Sequence, residues 1–341
     1  MPEDATADGA TSLLDRVHGC LIGGLIGDAM GTLSDHLEGE EIDRRFGWIE
    51  DFEGEGSDDS IMKHLLADAL IATDGQADAD SWAEQWCSPQ SRIGGEIAHQ
   101  FFASILHAAA KLSYGMIPRR VAFGHMPSST AAMAIAPVAI VNAGHPRAAA
   151  AQAQEIASLV HVDEAGFCQD GAVAVAACIA VALAPSTSLD RVIAGATAHI
   201  KPWSGGEMIE LIQAALALAE EAGDFKTFRA RYHAKFRRAI ACDARETIPA
   251  TITLVRLAGG DPRQAICYAA NFGRDTDTIA CMAGSIAGAL AGASGFPEAW
   301  LAKVARNASR DQMALARTLL DIGRRKAARE IAAWGFLAGA T

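Results

Sequence analysis

Gly19, Gly23, Gly27 and Gly31 recur at every fourth position through GCLIGGLIGDAMG, and Gly284, Gly288 and Gly292 repeat the spacing through AGSIAGALAG. At helical pitch each row falls on one face and leaves it without side chains. A glycine costs a helix about 1 kcal/mol relative to alanine, so an aligned row demands a compensating gain. Close approach of another backbone supplies it. A membrane dimerisation face carries the same pattern, but Asp28 within the first row and the short apolar length argue against that setting.

The rest of the chain is helical in pattern. Ile61, Met62, Leu65, Leu66, Ala69 and Leu70 form one apolar face, and Met208, Leu211, Ile212, Ala215 and Leu218 another, with Ser204 and Glu207 at capping-box spacing before the second. Breaks are expected at Pro89, Pro118, Pro127, Pro146, Pro185, Pro202, Pro249, Pro262 and Pro297. No repeat of solenoid length and no long linker divides the sequence. These signals predict a single all-α domain over residues 12–337, preceded by a small, acidic, aperiodic segment, residues 1–11, expected to be a disordered tail.

Composition narrows the partners. Half of the 341 residues are hydrophobic and 21% are charged, which excludes a mainly disordered chain. A formal charge of −12, from 29 basic and 41 acidic residues, disfavours nucleic acid and anionic membrane. The most apolar stretches, residues 172–184 and 131–143, fall short of the roughly 18 to 20 residues that span a bilayer and are expected to be core helices. Seven cysteines without a C-x-x-C pair, and an acidic start without signal-peptide character, predict reduced buried thiols and a cytoplasmic location.

Two acidic motifs carry the chemistry. Ser57-Asp58-Asp59-Ser60 directly precedes the helix expected near Ile61, and Gly273-Arg274-Asp275-Thr276-Asp277-Thr278 directly precedes the helix with the second glycine row. Each has the composition of a plain helix cap. A cap needs only one such residue, however, and paired carboxylates at a turn repel each other unless solvated or neutralised. Four carboxylates with at least two hydroxyls make an all-oxygen donor set suited to Mg2+, Mn2+ or Ca2+, and the spacing does not fit an EF-hand. The sequence has no Walker loop, nucleophile elbow or Cys/His cluster. The basic run Arg229, Arg231, Lys235, Arg237 and Arg238 reads as a solvated amphipathic helix, and Trp203 as core packing more readily than as a stacking platform.

With these motifs in order, GCLIGGLIGDAMG, then SDDS before a helix, then NFGRDTDTIACMAGSIAGALAG, the chain resembles the ADP-ribosylglycohydrolases, the group that includes the dinitrogenase reductase-activating glycohydrolases. The likeness runs from about His18 to about Pro297. It implies a single orthogonal multi-helix domain with a cleft for two Mg2+ or Mn2+ ions. Ser57, Asp58, Asp59, Asp275, Asp277 and Thr278 are the implied metal ligands, and Asp35 and Asp59 the implied catalytic carboxylates. Asp28, Ser128, Ser129 and His161 are the implied substrate-side residues, with Asp28 either shaping the glycine-rich turn or contacting the ribose. Asp35 stands where the family usually has glutamate, Ser57 and Ser60 where it has threonine, and Ala134 where GHMPSSTAAMAIAP would carry an arginine.

The implied reaction is metal-dependent hydrolysis of an α-linked ribosyl group on an ADP-ribosylated protein or a small ribosyl substrate. Breaking such a bond passes through an oxocarbenium-like state and needs an anchored sugar, an activated water and a stabilised leaving group. Hydrolysis of a ribosyl nucleoside or nucleotide, a two-metal phosphoesterase and a non-catalytic crystallin-like role are the alternatives.

Overall fold

The computed structural model describes residues 11–89, 91–337 and 339, and the tail expected at 1–11 lies almost entirely outside the described residues. The described residues contain no strand. In chain order the helices are α1 (Leu13–Gly31), α2 (Gly39–Phe46), α3 (Asp58–Ala72), α4 (Ala79–Trp86), α5 (Ala103–Ser113), α6 (Pro118–Val121), α7 (Thr130–Ala134), α8 (Ala136–Val141) and α9 (Pro146–Ala157). There follow α10 (Phe167–Ala182), α11 (Leu189–Ala198), α12 (Gly206–Ala222), α13 (Phe225–Phe236), α14 (Ala244–Leu257), α15 (Pro262–Ala270), α16 (Thr276–Ala291), α17 (Glu298–Asn307) and α18 (Gln312–Leu337).

The two glycine rows face each other. α1 and α16 run antiparallel and share the most extensive helix contact of the fold. A Cβ built on Gly19, Gly23 or Gly27 would strike the backbone of Gly288, Gly284 or Ala280, and one on Gly31 the backbone of Thr276 and Asp277. Lost helix propensity is thus offset by contact between main chains along the whole pair. α1 is apolar on every side because two cores enclose it. Leu21 and Val17 belong to the main core, while Ile22, Leu25, Ile26 and Met30 meet Ile42, Phe52 and Trp300 on the opposite side. Around this pair pack α15, α14, α10, α18 and α3.

Local signals end most helices as expected. Ser12 caps α1 by accepting from the Asp15 N–H at 3.1 Å, and Asp78 with Ser81 forms a capping box at α4. Met62, Leu65, Leu66, Ala69 and Leu70 are buried on α3, as are Met208, Ile212, Ala215 and Leu218 on α12.

Four expectations need correction. The box at Ser204 and Glu207 does not form: Gly205 is the N-cap, and Glu207 turns instead towards Arg245 at 3.6 Å. Pro249 lies inside α14 without ending it, because the surrounding Ile248, Ala250 and Ile252 are fully buried and tertiary packing outweighs one missing ladder bond. Arg229 is buried, bonded to Asp43 and to the Asn271 carbonyl, so α13 is not a uniformly solvated basic helix. Trp203 is fully exposed.

Two further points concern the apolar helices and thiols. Together with the turn before it, α10 extends the apolar run to Asp163–Ala182, long enough to cross a membrane by length, yet 72% of it is buried within the fold. All seven cysteines are free; five are buried, Cys242 is half-buried and Cys87 is exposed.

Candidate active site

The close seat of α1 on α16 brings Asp28, at the last turn of α1, beside the first turn of α16. Asp28 is fully buried and accepts from the Ser57 N–H (2.8 Å), the Ser57 hydroxyl (2.8 Å) and the Ser60 N–H (2.9 Å). It therefore ties down the turn that begins α3. Neither acidic motif acts as a plain cap: Ser57 and Asp275 occupy the N-cap positions of α3 and α16 but make no side-chain capping bond. Their side chains are left for other work.

The second motif is placed by backbone geometry. Gly273 (φ 102°) and Arg274 (φ 73°) both take left-handed conformations, and the Arg274 guanidinium is buried against Glu246 (2.5 Å) and the Arg238 carbonyl (2.7 Å). The His36 N–H donates to the Arg274 carbonyl, and the Arg274 N–H to the Leu37 carbonyl, both at 2.7 Å. These paired bonds hold the Asp35 loop against the Asp275 turn. A non-glycine residue at positive φ carries a conformational cost, and here the ion pair and both main-chain bonds hold it in place.

The outcome is two carboxylate triads that share a member. Asp28, Asp59 and Asp277 each present an oxygen within 4.8 Å of the others, and Asp35, Asp275 and Asp277 do the same. Asp58 and Thr278 line the same cavity. Hydroxyls complete the set: Ser57 Oγ lies 3.4 Å from Asp277 Oδ2, Thr278 Oγ1 3.4 Å from Asp59 Oδ2, and Ser129 Oγ 3.4 Å from Asp275 Oδ2.

Electrostatics shows what the cluster lacks. Burial, reinforced by neighbouring carboxylates, drives Asp58, Asp275 and Asp277 well above the usual carboxylate range. Asp59 shifts the same way, through burial first and then the Cys281 thiol and the other aspartates, and burial raises Asp35 to about 6. Asp35 Oδ1 and Asp59 Oδ1 are buried without any hydrogen-bond partner. Orphaned carboxylate oxygens in a dry site are costly unless protonated or bound to a cation. The all-oxygen donors fit hard divalent ions.

Above the carboxylates opens a cavity of about 250 Å³. Its walls are Asp35, His36, Asp58, Ser129, Thr130, Met133, Asp275, Asp277 and Thr278, and a second wall of His99–Ala103 with Ile240–Cys242 that meets the first where Ser129 bonds the Cys242 carbonyl. The second wall carries no motif that pointed to it in the sequence; only the aromatic pair Phe101-Phe102 stands out after the fact. Asp28, implied as a substrate contact, is enclosed and does not reach the cavity. Ser128 and His161 are likewise buried and bonded to each other (Ser128 Oγ to His161 Nε2, 2.9 Å), with burial lowering the His161 pKa to about 3. They hold up the loop from beneath. Ser129 alone of these four reaches the cavity wall, its hydroxyl donating to the Cys242 carbonyl at 3.1 Å.

The chain is similar to known proteins over most of its length. The chain is 25% identical over 336 residues to the Escherichia coli protein YegU, covering 85% of this chain and 92% of that one. It is 24% identical over 332 residues to human ADP-ribosylhydrolase ARH3, covering 86% of this chain and 90% of that one. To the ADP-ribosylarginine hydrolase Tri1 of Pseudomonas putida it is 27% identical over 305 residues, covering 86% and 75% respectively. A solved chain described as an ADP-ribosylglycohydrolase-related protein complex has the same fold, with a TM-score of 0.65 at 17% identity over 91% of this chain and 99% of that one. The ADP-ribosylglycohydrolase family model matches residues 9–329, nearly the whole length, and the chain belongs to that family.

Proposed function

We propose that this protein is a divalent-metal-dependent glycohydrolase that removes an ADP-ribosyl group by cleaving its ribosyl glycosidic bond. The observation that carries the reading is the pair of carboxylate triads sharing Asp277, of which Asp35, Asp275 and Asp277 line the cavity while Asp28 and Asp59 do not, with one orphaned oxygen in each triad. Ser57, Asp58, Asp59, Asp275, Asp277 and Thr278 would hold two Mg2+ or Mn2+ ions. Bound there, such ions would supply charge for orienting ribose hydroxyls and for acidifying a water.

The chain's own groups divide the remaining work. Asp35 lines the cavity, so its carboxylate is placed to take a proton from an attacking water. His36 Nε2 lies 3.1 Å from Asp35 Oδ2 and holds that carboxylate from the outer side. Ser129 and Thr130 offer hydroxyls to the sugar, and Phe101 and Phe102 close the cavity with an apolar wall that limits water. Asp28 positions the ligand turn through Ser57 and Ser60 without touching substrate.

A panel of ADP-ribosylated protein, O-acetyl-ADP-ribose and nucleosides, assayed with Mg2+ or Mn2+ and with EDTA, tests this. Release of a free ribose end from an ADP-ribosyl substrate, abolished by EDTA, is expected. Undiminished release in EDTA, or phosphate as the product, overturns it.

A further inference from the structure

Lys63 is fully buried on α3, and its Nζ has no hydrogen-bond partner. A lysine in that state is rare, because an enclosed ammonium without acceptors loses its hydration for nothing. The register of the three site helices shows what surrounds it. Asp28, Asp59 and Asp277 form one layer, contributed by α1, α3 and α16. Four residues further into each helix come Gly24, Lys63 and Cys281, so the next layer lies one helical turn, about 5.4 Å, below the carboxylates. Lysine side chains lean towards the helix N-terminus, which carries the Lys63 amine back towards Asp59.

Gly24 lies outside the four-residue glycine row of α1 but still faces α16, beside Ser285 and the Cys281 carbonyl. A Cβ there would come within 2.8 Å of Lys63 Nζ and would strike Ser285 Oγ, which also lacks a partner. The missing side chain makes room for the amine. Burial raises the Asp28 pKa, and the Lys63 charge opposes that rise after the hydrogen bonds from Ser60 and Ser57; burial likewise raises the Cys20 and Cys281 thiols, with Lys63 again opposing.

We propose that the Lys63 ammonium is a fixed counter-ion beneath the carboxylate site, a positioning residue that offsets part of its negative charge and weakens its hold on divalent cations. The inference rests on the metal-binding reading above. Asp28, Asp35, Asp58, Asp59, Asp275 and Asp277 together outweigh two divalent ions by two charges, and Lys63 halves the excess.

The test is titration of metal-stripped protein with Mn2+, followed by calorimetry, for wild type, Lys63→Met, Lys63→Gln and Lys326→Met. Lys326 is a second buried lysine, bonded to Asn142 and Gln152 away from the site, and controls for loss of a buried charge. Removing a cation from beneath should tighten Mn2+ binding by about tenfold in both Lys63 variants and leave it unchanged in Lys326→Met. The melting temperature in EDTA should fall further than that in Mn2+. A packing role predicts the opposite, weaker or unaltered binding, and that result overturns the proposal. Failure of both neutral variants to fold in excess Mn2+ also overturns it, because the loaded site should tolerate the loss. Wild type that takes up no Mn2+ overturns the metal reading itself, a different result from wild type that binds and variants that do not shift.

Discussion

The Asp28 carboxylate accepts both the backbone N–H and the hydroxyl of Ser57, each at 2.8 Å. One buried side chain on α1 thereby sets the orientation of the turn that presents Asp58 and Asp59 from α3. Asp28→Ala should leave α1 helical but release this turn, and kcat/KM should fall at least about a hundredfold, near 3 kcal/mol of transition-state stabilisation. Steady-state kinetics beside a Mn2+ titration checks it; full activity with unaltered Mn2+ affinity would show that the turn holds itself.

Gly27→Ala reverses the usual effect of such a substitution. On an open helix face alanine stabilises by about 1 kcal/mol. Here its Cβ would press on the Ala280 carbonyl and the Cys281 amide nitrogen, both main-chain atoms that cannot rotate away. A net loss of about 1–3 kcal/mol in urea unfolding is expected, with Mn2+ affinity falling alongside. A gain in stability would mean that α1 and α16 part easily.

The pH dependence of metal stabilisation follows from the carboxylates. In the metal-free protein their folded-state pKa values lie above the unfolded ones, so protons bind more tightly to the folded state and stability falls as pH rises past about 4. For Asp35 that penalty is complete above about 6. His64 and His161 act oppositely: burial lowers both to about 3, so their penalty grows as pH falls below the unfolded value near 6.5. Bound cations relieve the first effect and leave the second. The gap in melting temperature between Mn2+ and EDTA should widen steadily from pH 5 to pH 7.5, and a constant gap would contradict the assignment.

Ser128→Ala separates support from contact. It strands the buried His161 Nε2, whose ring Nδ1 is already unpartnered. A stability loss of about 1–3 kcal/mol is expected with Mn2+ affinity intact. Ser129→Ala should instead raise KM, since Ser129 lines the cavity with its hydroxyl between the Cys242 carbonyl and Asp275 Oδ2. An exchange of these two outcomes would return Ser128 to the substrate side.

The glycine rows and the two acidic motifs were legible in the sequence because each breaks a local rule: repeated glycine in a helix, and more carboxylates than a cap requires. The burial of Asp28, Ser128 and His161 is not legible in the sequence, because a one-dimensional motif does not say which side of a loop faces solvent. The wall formed by residues 99–102 and 240–242 left no trace, being made of ordinary residues whose meeting depends on distant packing. Lys63 stands in the sequence as a single charged residue between Met62 and His64, with no motif around it. Only the register of three helices shows what it stands beneath. Ser204 and Glu207 misled for the converse reason, a good local pattern overruled by the pull of Arg245.

The contact between α1 and α16 also limits how the enzyme can move. Where main chain rests on main chain, no side chains remain to change rotamer, and the four-residue spacing of the glycines acts as a ratchet. The helices can slip only by a whole turn, about 5.4 Å, which would separate Asp28 from Asp277 entirely. The floor of the site is therefore either in register or absent, with no intermediate settings. Any closure over a substrate would fall to the cavity-lining residues 99–102 and 240–242, which sit outside the long helices.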